Sequence, residues 1–302
     1  MITHPNVKIN LGLSVLRKRE DGFHDIETLF VPYPGIHDTL EIIPGDDFSE
    51  TSAALFSKYG PIPEDVPEGF APNLCQAISE DGKVMITIAK GDGVDWPPLK
   101  DLTVKAYSLL DKEFALPPVK IYLEKTAPVG AGLGGGSSDA AFALKMLSEM
   151  FSLSLDEKAL AQRAATLGSD CAFFIYNRPM KGEGRGEILS PYPLDFIDYG
   201  QGGENAKYEL TVLTPEGIAV STADAYRGIV PREKMDVAPI PLDKALSAPV
   251  DRWKECLVND FETTVFAKYP EIAKIKESLY DSGAIYASMS GSGSSVFAIY
   301  SK

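Results

Sequence analysis

Five glycines lie within seven residues of this 302-residue chain, at Gly130, Gly132 and 134–136. Residues 119–124 before them alternate like a β-strand, and residues 138–151 after them have apolar side chains at helical spacing. Glycine permits backbone conformations that other residues avoid and leaves main-chain N–H groups uncovered, so these groups can surround an anion. A following helix adds its unpaired N–H groups and the positive end of its dipole. The sequence therefore predicts a phosphate-binding loop.

This loop belongs to neither of two common nucleotide-binding classes. A Walker loop needs a lysine after the last glycine, but Ser137 follows Gly136 here. A dinucleotide motif matches from Gly130, but Glu149 falls inside the predicted helix, not at the end of a second strand where a ribose is bound. Serines at the helix start can cap it or donate to phosphate oxygens. The candidate nucleotide ligands are Pro128, Val129, Gly130, Ala131, Gly132, Leu133, Gly134, Gly135, Gly136, Ser137 and Ser138.

Charge and cysteine content narrow the function classes. The net charge of −14 argues against nucleic acid as the main partner, because phosphate backbones require clustered Lys and Arg. Three cysteines, widely spaced and without a Cys-x-x-Cys pair, predict free thiols in a reducing compartment. No signal-peptide pattern opens the sequence, and no apolar run approaches the roughly 20 residues that span a bilayer. We therefore expect a cytoplasmic protein that does not interact with a membrane.

The glycine loop resembles the central motif of the GHMP kinases (galacto-, homoserine, mevalonate and phosphomevalonate kinases), Pro-x-x-x-Gly-Leu-x-Ser-Ser-Ala. Pro128, Gly132, Leu133 and the Ser137-Ser138 pair match it, with additional glycines between them. Further matching segments extend the resemblance over nearly the whole chain: residues 7–11 (VKINL), 19–24 (REDGFH), 168–174 (GSDCAFF) and 288–295 (SMSGSGSS). These segments are similar to the family members that phosphorylate a cytidine diphosphate-linked methylerythritol.

The resemblance implies an α+β fold of two domains. Residues 1–190 would form an ATP-binding domain resembling ribosomal protein S5, and residues 191–302 a ferredoxin-like, substrate-binding domain, with the active site in the cleft between them. It further implies ATP and a cytidine diphosphate-linked methylerythritol as the small-molecule substrates. Mg²⁺ would accompany ATP. Because the sequence has no carboxylate cluster, we expect phosphates and water to hold this ion mainly.

The resemblance also implies that Lys8 and Asp170 are the catalytic pair. Phosphoryl transfer to an alcohol requires that the hydroxyl be aligned with the γ-phosphate and that its proton be accepted. A carboxylate at Asp170 can take this proton. An ammonium at Lys8 can orient the carboxylate and offset charge on the substrate oxygen.

The predicted cytidine site rests on the same resemblance. Phe23 and His24 fall where an aromatic residue and a histidine recognise cytosine in the related kinases, and neutral imidazole offers one donor and one acceptor to a pyrimidine edge. Tyr226 would stack on the other ring face. Asn10 and Thr222 complete the predicted substrate site.

Two alternative functions remain open. The chain could be another GHMP kinase, acting on a mevalonate-type substrate or on homoserine. It could also be a non-catalytic regulator that binds a sugar nucleotide on the same fold. Phe23 and His24 argue against the first alternative, because those kinases have no pyrimidine to recognise, and the retention of both Lys8 and Asp170 argues against the second.

Three local features carry expectations of their own. Asp101 stands where the family usually has an asparagine near the adenine. Residues 46–98 are longer than the family's usual connection, and the overlapping stretch 45–73 is predicted to be a surface excursion. The apolar run 171–176 (CAFFIY) is predicted to be a short buried strand.

Overall fold

The computed structural model describes residues 1–63, 65–67, 69–203, 206–235 and 240–302, so residues 64 and 68 of the predicted excursion lie outside the described part. The described strands are, in chain order, β1 (Ile2–Thr3), β2 (Asn6–Lys18), β3 (His24–His37), β4 (Thr39–Pro44), β5 (Leu74–Ile78), β6 (Val84–Lys90), β7 (Val119–Lys125), β8 (Met180–Glu183), β9 (Ile188–Pro191), β10 (Ile197–Asp198), β11 (Tyr208–Leu213), β12 (Tyr286–Met289) and β13 (Val296–Ser301).

The described α-helices are α1 (Ser52–Tyr59), α2 (Leu102–Phe114), α3 (Gly135–Met150), α4 (Glu157–Leu167), α5 (Cys171–Tyr176), α6 (Thr222–Tyr226), α7 (Leu242–Leu246), α8 (Trp253–Cys256), α9 (Glu262–Lys268) and α10 (Pro270–Asp281). In the ranges that the structure describes, none of these helices has both the length and the apolar character needed to cross a membrane.

The chain forms two compact units, and each is assembled from separate stretches of sequence. Unit 1 contains Met1–Asn6, Ile36–Ala127 and Gly135–Tyr176, and unit 2 contains Val7–Gly35, Pro128–Gly134 and Asn177–Lys302. These units are discontinuous, whereas the division predicted from the resemblance, at 190/191, is contiguous. The functional domain boundary therefore stays a prediction, and the units are described separately.

Unit 1 is built on a five-stranded sheet with the strand order β1-β4-β7-β6-β5. β6 and β7 run parallel, and the other neighbouring strands are antiparallel. On central β7, Ile121 lies opposite Ile42 of β4 and Ile86 of β6, and all three side chains are fully buried. Cross-strand pairs of β-branched residues stabilise a sheet in this way. The strand predicted over 119–124 is confirmed.

Helix α3 is the central helix of unit 1 and packs against α2, α4 and α5. It begins at Gly135, so its first turn includes part of the glycine run. The prediction that residues 171–176 form a strand is wrong, because they form α5. The first five residues of α5 are buried against α3 and α4, and a short apolar run without periodicity does not distinguish a strand from a buried helix.

The long segment before α2 is more structured than the predicted surface excursion. The predicted excursion, residues 45–73, contains α1, and the edge strand β5, which follows it directly, pairs with β6. Leu55 of α1 and Leu74 of β5 are buried in one cluster with Ile43 and Tyr122. The described part of this segment therefore extends the sheet of unit 1 by one strand and covers it with a helix.

Unit 2 contains two four-stranded sheets, with the orders β2-β3-β8-β9 and β10-β11-β13-β12. In the second sheet, Leu210 of β11 and Tyr286 of β12 both pair with Ile299 of β13. A buried cluster joins residues of β2, such as Leu13 and Val15, to residues of the helices that follow β11, such as Val265. The first and last parts of the chain thus share one core within unit 2.

Candidate active site

The glycine loop of unit 2 is held by the glycine-serine turn at residues 290–295. Ser290 Oγ donates a hydrogen bond to the carbonyl oxygen of Gly132 at 3.2 Å, and the main-chain N–H of Ser295 donates to that of Ala131 at 3.1 Å. Gly132 has a φ of +76°, and a Cβ added there would lie 2.1 Å from the carbonyl oxygen of Ser290. Both the left-handed backbone and the close approach therefore require glycine at position 132.

Lys8, the predicted catalytic lysine, is attached to this loop at two points. Its main-chain N–H donates to the carbonyl oxygen of Leu133 at 3.0 Å, and its Nζ donates to that of Gly132 at 3.0 Å. The side chain is 3% exposed, and Nζ lies 5.5 Å from the centre of the Phe30 ring, within cation–π range. The structure thus brings a buried ammonium group directly against the glycine loop.

Asn10, a predicted substrate ligand, is bonded to protein groups on several sides. Its Oδ1 accepts from Lys8 Nζ, its Nδ2 donates to Thr28 Oγ1 at 3.1 Å, and its main-chain N–H donates to Ser290 Oγ at 3.2 Å. Its side chain is only 2% exposed. These contacts make Asn10 part of the support of Lys8, and its contact with substrate stays a prediction.

The start of α3 in unit 1 carries the two predicted serine ligands. The Ser138 hydroxyl is fully buried and donates to the carbonyl oxygen of Asn6 at 2.7 Å, so its proton is committed within the protein. Ser137 forms a side-chain hydrogen bond with the thiol of Cys171, whose burial raises the pKa of that thiol to about 11. The first main-chain N–H groups of a helix have no intrahelical acceptor, so those of Gly135 and Gly136 suit an anion.

A buried ion cluster in unit 1 holds both ends of the glycine run, and sequence reasoning missed it. Lys125 Nζ at the end of β7 pairs with Asp38 and lies 2.6 Å from Asp139 Oδ2 near the start of α3. Asp38 Oδ1 accepts from the main-chain N–H groups of Thr126 and Ala127 at 2.7 and 2.8 Å. One cluster therefore fixes the strand end before the loop and the helix start after it.

The cluster has two carboxylates for one ammonium, and Asp139 is the carboxylate with the less complete set of partners. Its side chain is 1% exposed, and among the described residues its Oδ1 has no hydrogen-bond partner. Burial, together with the charge of Asp38, raises the pKa of Asp139 well above its usual range, although Lys125 opposes the shift. Burial lowers the pKa of Lys125, but the two carboxylates outweigh burial and raise it.

Asp170, the predicted catalytic carboxylate, is a half-buried residue of unit 1 in the turn between α4 and α5. It directly precedes Cys171, the first residue of α5. Lys8 belongs to unit 2, so the pairing of Lys8 with Asp170 stays a prediction.

The predicted cytidine residues lie in unit 2. Phe23 is 53% exposed, and the guanidinium of Arg185 lies 5.1 Å from the centre of its ring. The rings of His24 and Tyr226 stack on each other at 4.6 Å with an interplanar angle of 16°. Burial, with a smaller effect of Lys18, lowers the pKa of His24 below its usual value, which favours the neutral imidazole. Tyr226 therefore pairs with His24, and sequence reasoning missed the cation over Phe23.

Thr222 and Asp101 both have partners within their own units. Thr222 lies one helical turn before Tyr226, and its Oγ1 is 3.2 Å from Ser292 Oγ in the glycine-serine turn. Asp101 is the N-cap of α2: its Oδ1 accepts from the main-chain N–H of Thr103 at 2.9 Å, and its Oδ2 accepts from Trp96 Nε1 at 3.1 Å. Both oxygens of Asp101 thus hold the helix start, and no adenine contact is assigned to it.

Among the described residues, no group of three or more His, Cys, Asp or Glu side chains is arranged to hold a metal ion. Asp139 has a bare oxygen, but its partners are a lysine and a second aspartate in a closed site. That phosphates and water hold Mg²⁺ stays a prediction.

Two family models match separate parts of the chain. The model of the GHMP kinases N terminal domain matches residues 101–178, and that of the GHMP kinases C terminal domain matches residues 246–302. A crystal structure of 4-(cytidine 5'-diphospho)-2C-methyl-D-erythritol kinase is similar with a TM-score of 0.67 and 28% identity, covering 99% of this chain and 89% of that one. The predicted α+β GHMP kinase fold is confirmed.

Full-length relatives narrow the class. The 4-diphosphocytidyl-2-C-methyl-D-erythritol kinase of Bacteroides fragilis is 44% identical over 302 residues, which are 100% of this chain and 92% of the relative. The enzyme of the same name from Cytophaga hutchinsonii is 41% identical over 300 residues, covering 99% and 92%. The chain belongs to the 4-diphosphocytidyl-2-C-methyl-D-erythritol kinase family of the GHMP kinases.

Alanine substitutions at two loop glycines should have different effects. Gly130→Ala places a Cβ 3.9 Å from Ala219 Cβ, an ordinary van der Waals contact, so it should cost only the left-handed backbone penalty of about 1–2 kcal/mol. Gly132→Ala must also displace the carbonyl of Ser290, so it should destabilise clearly more and weaken ADP binding. Urea unfolding and ADP titration measure both effects, and equal losses in the two variants would contradict the close approach at Gly132.

Asp139→Asn should change how stability depends on pH. Because the pKa of Asp139 is raised in the folded state, ionising it removes stability as pH rises from its unfolded value, about 3.9, through the folded value. Asparagine does not ionise. The free energy of unfolding of the variant, relative to wild type, should therefore increase with pH over this window.

Urea unfolding at a series of pH values measures the difference. Asp156→Asn is the matched control, because Asp156 is the N-cap of α4 and Asn caps a helix as well as Asp does. A difference between Asp139→Asn and wild type that does not vary with pH would show that Lys125 keeps Asp139 ionised throughout.

Proposed function

We propose that the protein transfers the γ-phosphoryl group of ATP to the 2-hydroxyl of 4-diphosphocytidyl-2-C-methyl-D-erythritol. The products are the 2-phosphate and ADP, and the reaction is a step of non-mevalonate isoprenoid biosynthesis. The observation that supports this most directly is the attachment of Lys8 to the glycine loop, where its ammonium bonds to the carbonyl of Gly132. Family membership and the exposed ring of Phe23 beside His24 favour the cytidine-linked substrate.

ATP would bind through the main chain of residues 128–138. Loop glycines leave their N–H groups accessible, and the first turn of α3 offers further unpaired N–H groups together with the helix dipole. The hydroxyl of Ser138 is committed to Asn6, so Ser138 would meet phosphate through its main-chain N–H. Mg²⁺, held mainly by phosphate oxygens and water, would neutralise the charge of the triphosphate. The free thiols of Cys75, Cys171 and Cys256 suit a reducing compartment, and we assign the enzyme to the cytoplasm.

Asp170 and Lys8 would perform the transfer. As the bond between the 2-hydroxyl oxygen and the γ-phosphorus forms, the hydroxyl proton passes to the Asp170 carboxylate. The bond between the γ-phosphorus and the bridging oxygen breaks, and ADP leaves. The Lys8 ammonium offsets the negative charge near the attacking oxygen, and burial strengthens this effect because the side chain is 3% exposed.

Phe23 and His24 would recognise the cytosine. The exposed Phe23 ring provides a surface for stacking, which is worth about 1–3 kcal/mol per base. His24, held against Tyr226, presents a neutral imidazole whose donor and acceptor suit the pyrimidine edge. Thr222, one turn before Tyr226, would contribute a hydroxyl on the same helix face.

Two other functions would fit the fold. Homoserine kinase from Cytophaga hutchinsonii has a similar structure at 18% identity and a TM-score of 0.59, but this level of likeness shows the fold alone. A regulator that binds the same substrate without turnover would keep the loop and the aromatic residues. Neither alternative accounts for both an exposed stacking ring and a lysine bonded to the loop.

A coupled ADP-release assay with three alcohols tests the proposal. We expect turnover with 4-diphosphocytidyl-2-C-methyl-D-erythritol and none with mevalonate or homoserine. Phe23→Ala should raise the KM for the cytidine substrate about tenfold or more, because stacking is lost, and leave the KM for ATP unchanged. Phe23→Tyr keeps the aromatic face and should behave like wild type. Turnover with mevalonate or homoserine alone, or tight binding without turnover, would support one of the alternatives.

Asp170→Asn should keep nucleotide binding and lower kcat at least about 100-fold, because the amide does not accept the hydroxyl proton. Asp156→Asn, the same substitution at a helix cap in unit 1, is the matched control and should leave kcat unchanged. Steady-state kinetics and an ADP titration measure the two quantities. A kcat near wild type in Asp170→Asn would remove this residue from the mechanism.

A further inference from the structure

A chain of buried hydrogen bonds in unit 2 leads from a main-chain carbonyl to the ammonium of Lys8. Thr28 Oγ1 donates to the carbonyl oxygen of Gly12, Asn10 Nδ2 donates to Thr28 Oγ1 at 3.1 Å, and Lys8 Nζ donates to Asn10 Oδ1. Thr28 on β3 is 0% exposed, Asn10 2% and Lys8 3%. Lys8, Asn10 and Gly12 are alternate residues of β2, so their positions share one face of that strand.

The carbonyl oxygen of Gly12 determines which group donates in every one of these hydrogen bonds. A carbonyl oxygen only accepts, so the single hydroxyl proton of Thr28 points to Gly12. The Thr28 oxygen can therefore only accept a hydrogen bond from Asn10. This requires the NH₂ of the Asn10 amide to face Thr28. The amide oxygen must then face the opposite way, towards Lys8, whose ammonium only donates.

The backbone at Gly12 fixes the start of the chain. Gly12 lies within β2 with a φ of +70°, a left-handed conformation that other residues adopt only at a cost. A Cβ at this position would lie 2.6 Å from Leu257 Cδ1 and 2.9 Å from Leu242 Cδ1. Two independent constraints thus favour glycine at the carbonyl to which Thr28 donates.

We propose that Thr28 is a positioning residue for Lys8, acting by fixing the orientation of the Asn10 amide so that its oxygen holds the ammonium against the glycine loop. The proposal rests on the proposed function, in which Lys8 acts in phosphoryl transfer. Thr28 touches neither Lys8 nor the loop in these contacts, and its effect passes through Asn10.

Loss of the Thr28 hydroxyl should disturb this arrangement whichever way the amide turns. If the amide keeps its orientation, its NH₂ lacks the acceptor that Thr28 supplied. If the amide rotates by half a turn, its NH₂ faces the ammonium, and two donors meet. Either outcome shifts or loosens Lys8, whereas main-chain contacts of the glycine loop, such as that of Ser295 with Ala131, do not involve Thr28.

Thr28→Val is the direct test, because valine keeps the volume and branching of threonine and removes the hydroxyl. We expect kcat to fall about 10- to 100-fold, since small misplacements of a reacting group have effects of this size, and the KM for ATP to stay within about twofold. Thr28→Ser keeps the hydroxyl and loses the methyl, and its kcat should be restored to within about threefold of wild type.

Asn10→Asp provides a second, independent test should Thr28→Val fold poorly. Its carboxylate keeps an oxygen for Lys8, but its other oxygen faces Thr28 Oγ1, whose proton Gly12 already receives. We therefore expect kcat to fall although an ion pair with Lys8 becomes available. Wild-type kcat in Asn10→Asp, or equal losses in Thr28→Val and Thr28→Ser, would overturn the proposal.

A measurement without turnover separates this proposal from the proposed function. The side-chain NH₂ of Asn10 should exchange its hydrogens slowly with solvent in wild type and in Thr28→Ser, and much faster in Thr28→Val, as followed by NMR. If wild type turns over no alcohol but shows this pattern, the function fails and the hydrogen-bond chain stands. Fast exchange of the Asn10 NH₂ in wild type, together with normal turnover, would contradict the proposed series of hydrogen bonds and would still support the proposed function.

Discussion

The approach of two glycine-containing backbones to each other is the constraint on which much of unit 2 depends. Gly132 and Ser290, which are 158 positions apart in sequence, lie so close that a single added carbon at position 132 would overlap a carbonyl oxygen. The ammonium of Lys8 bonds to the carbonyl of this same glycine. Because packed interiors tolerate little displacement, the position of the Lys8 nitrogen depends on contacts made near the end of the chain.

Charge performs a related task in unit 1. Burying two carboxylates and a lysine is unfavourable unless their bonds are well arranged, so the cluster is weak evidence for stability. Its contribution is to fix the positions of specific groups. Asp38 accepts hydrogen bonds from the N–H groups of Thr126 and Ala127, and Asp139 links the start of α3 to Lys125. Apolar side chains of equal volume would fill the space but would offer no acceptor to those N–H groups. Both ends of the glycine run are thereby fixed within unit 1.

Local sequence patterns predicted those secondary-structure elements that residues close in sequence determine. Alternation of apolar residues identified β7, and glycine density identified the loop between β7 and α3. The run at 171–176 was misassigned, because a segment buried on all sides has no periodicity to read. The resemblance supplied Lys8 and Asp170, which no local pattern distinguishes from ordinary surface residues.

The contacts that sequence reasoning missed are non-local. Asp38 and Lys125 are 87 positions apart, and no spacing rule joins them. Asn10 was predicted to bind substrate from its motif alone, whereas Thr28 on the next strand and Ser290 near the end of the chain are what engage its amide and its N–H. Arg185 over Phe23 likewise depends on a strand pairing that only the folded chain brings about.

Each unit is assembled from separate stretches of sequence, and this has a consequence for the synthesis of the chain on the ribosome. Unit 1 is complete once Tyr176 has been translated, whereas β2 and β3 belong to a unit whose remaining strands follow Asn177. Ribosomes add about 5–20 residues per second, so the interval from Gly35 to the C-terminal sheet lasts roughly ten seconds or longer. During this time the apolar side chains of β2 lack those neighbours that follow Asn177, such as Val265 and Val296, and a nascent segment of this kind is what ribosome-associated chaperones bind.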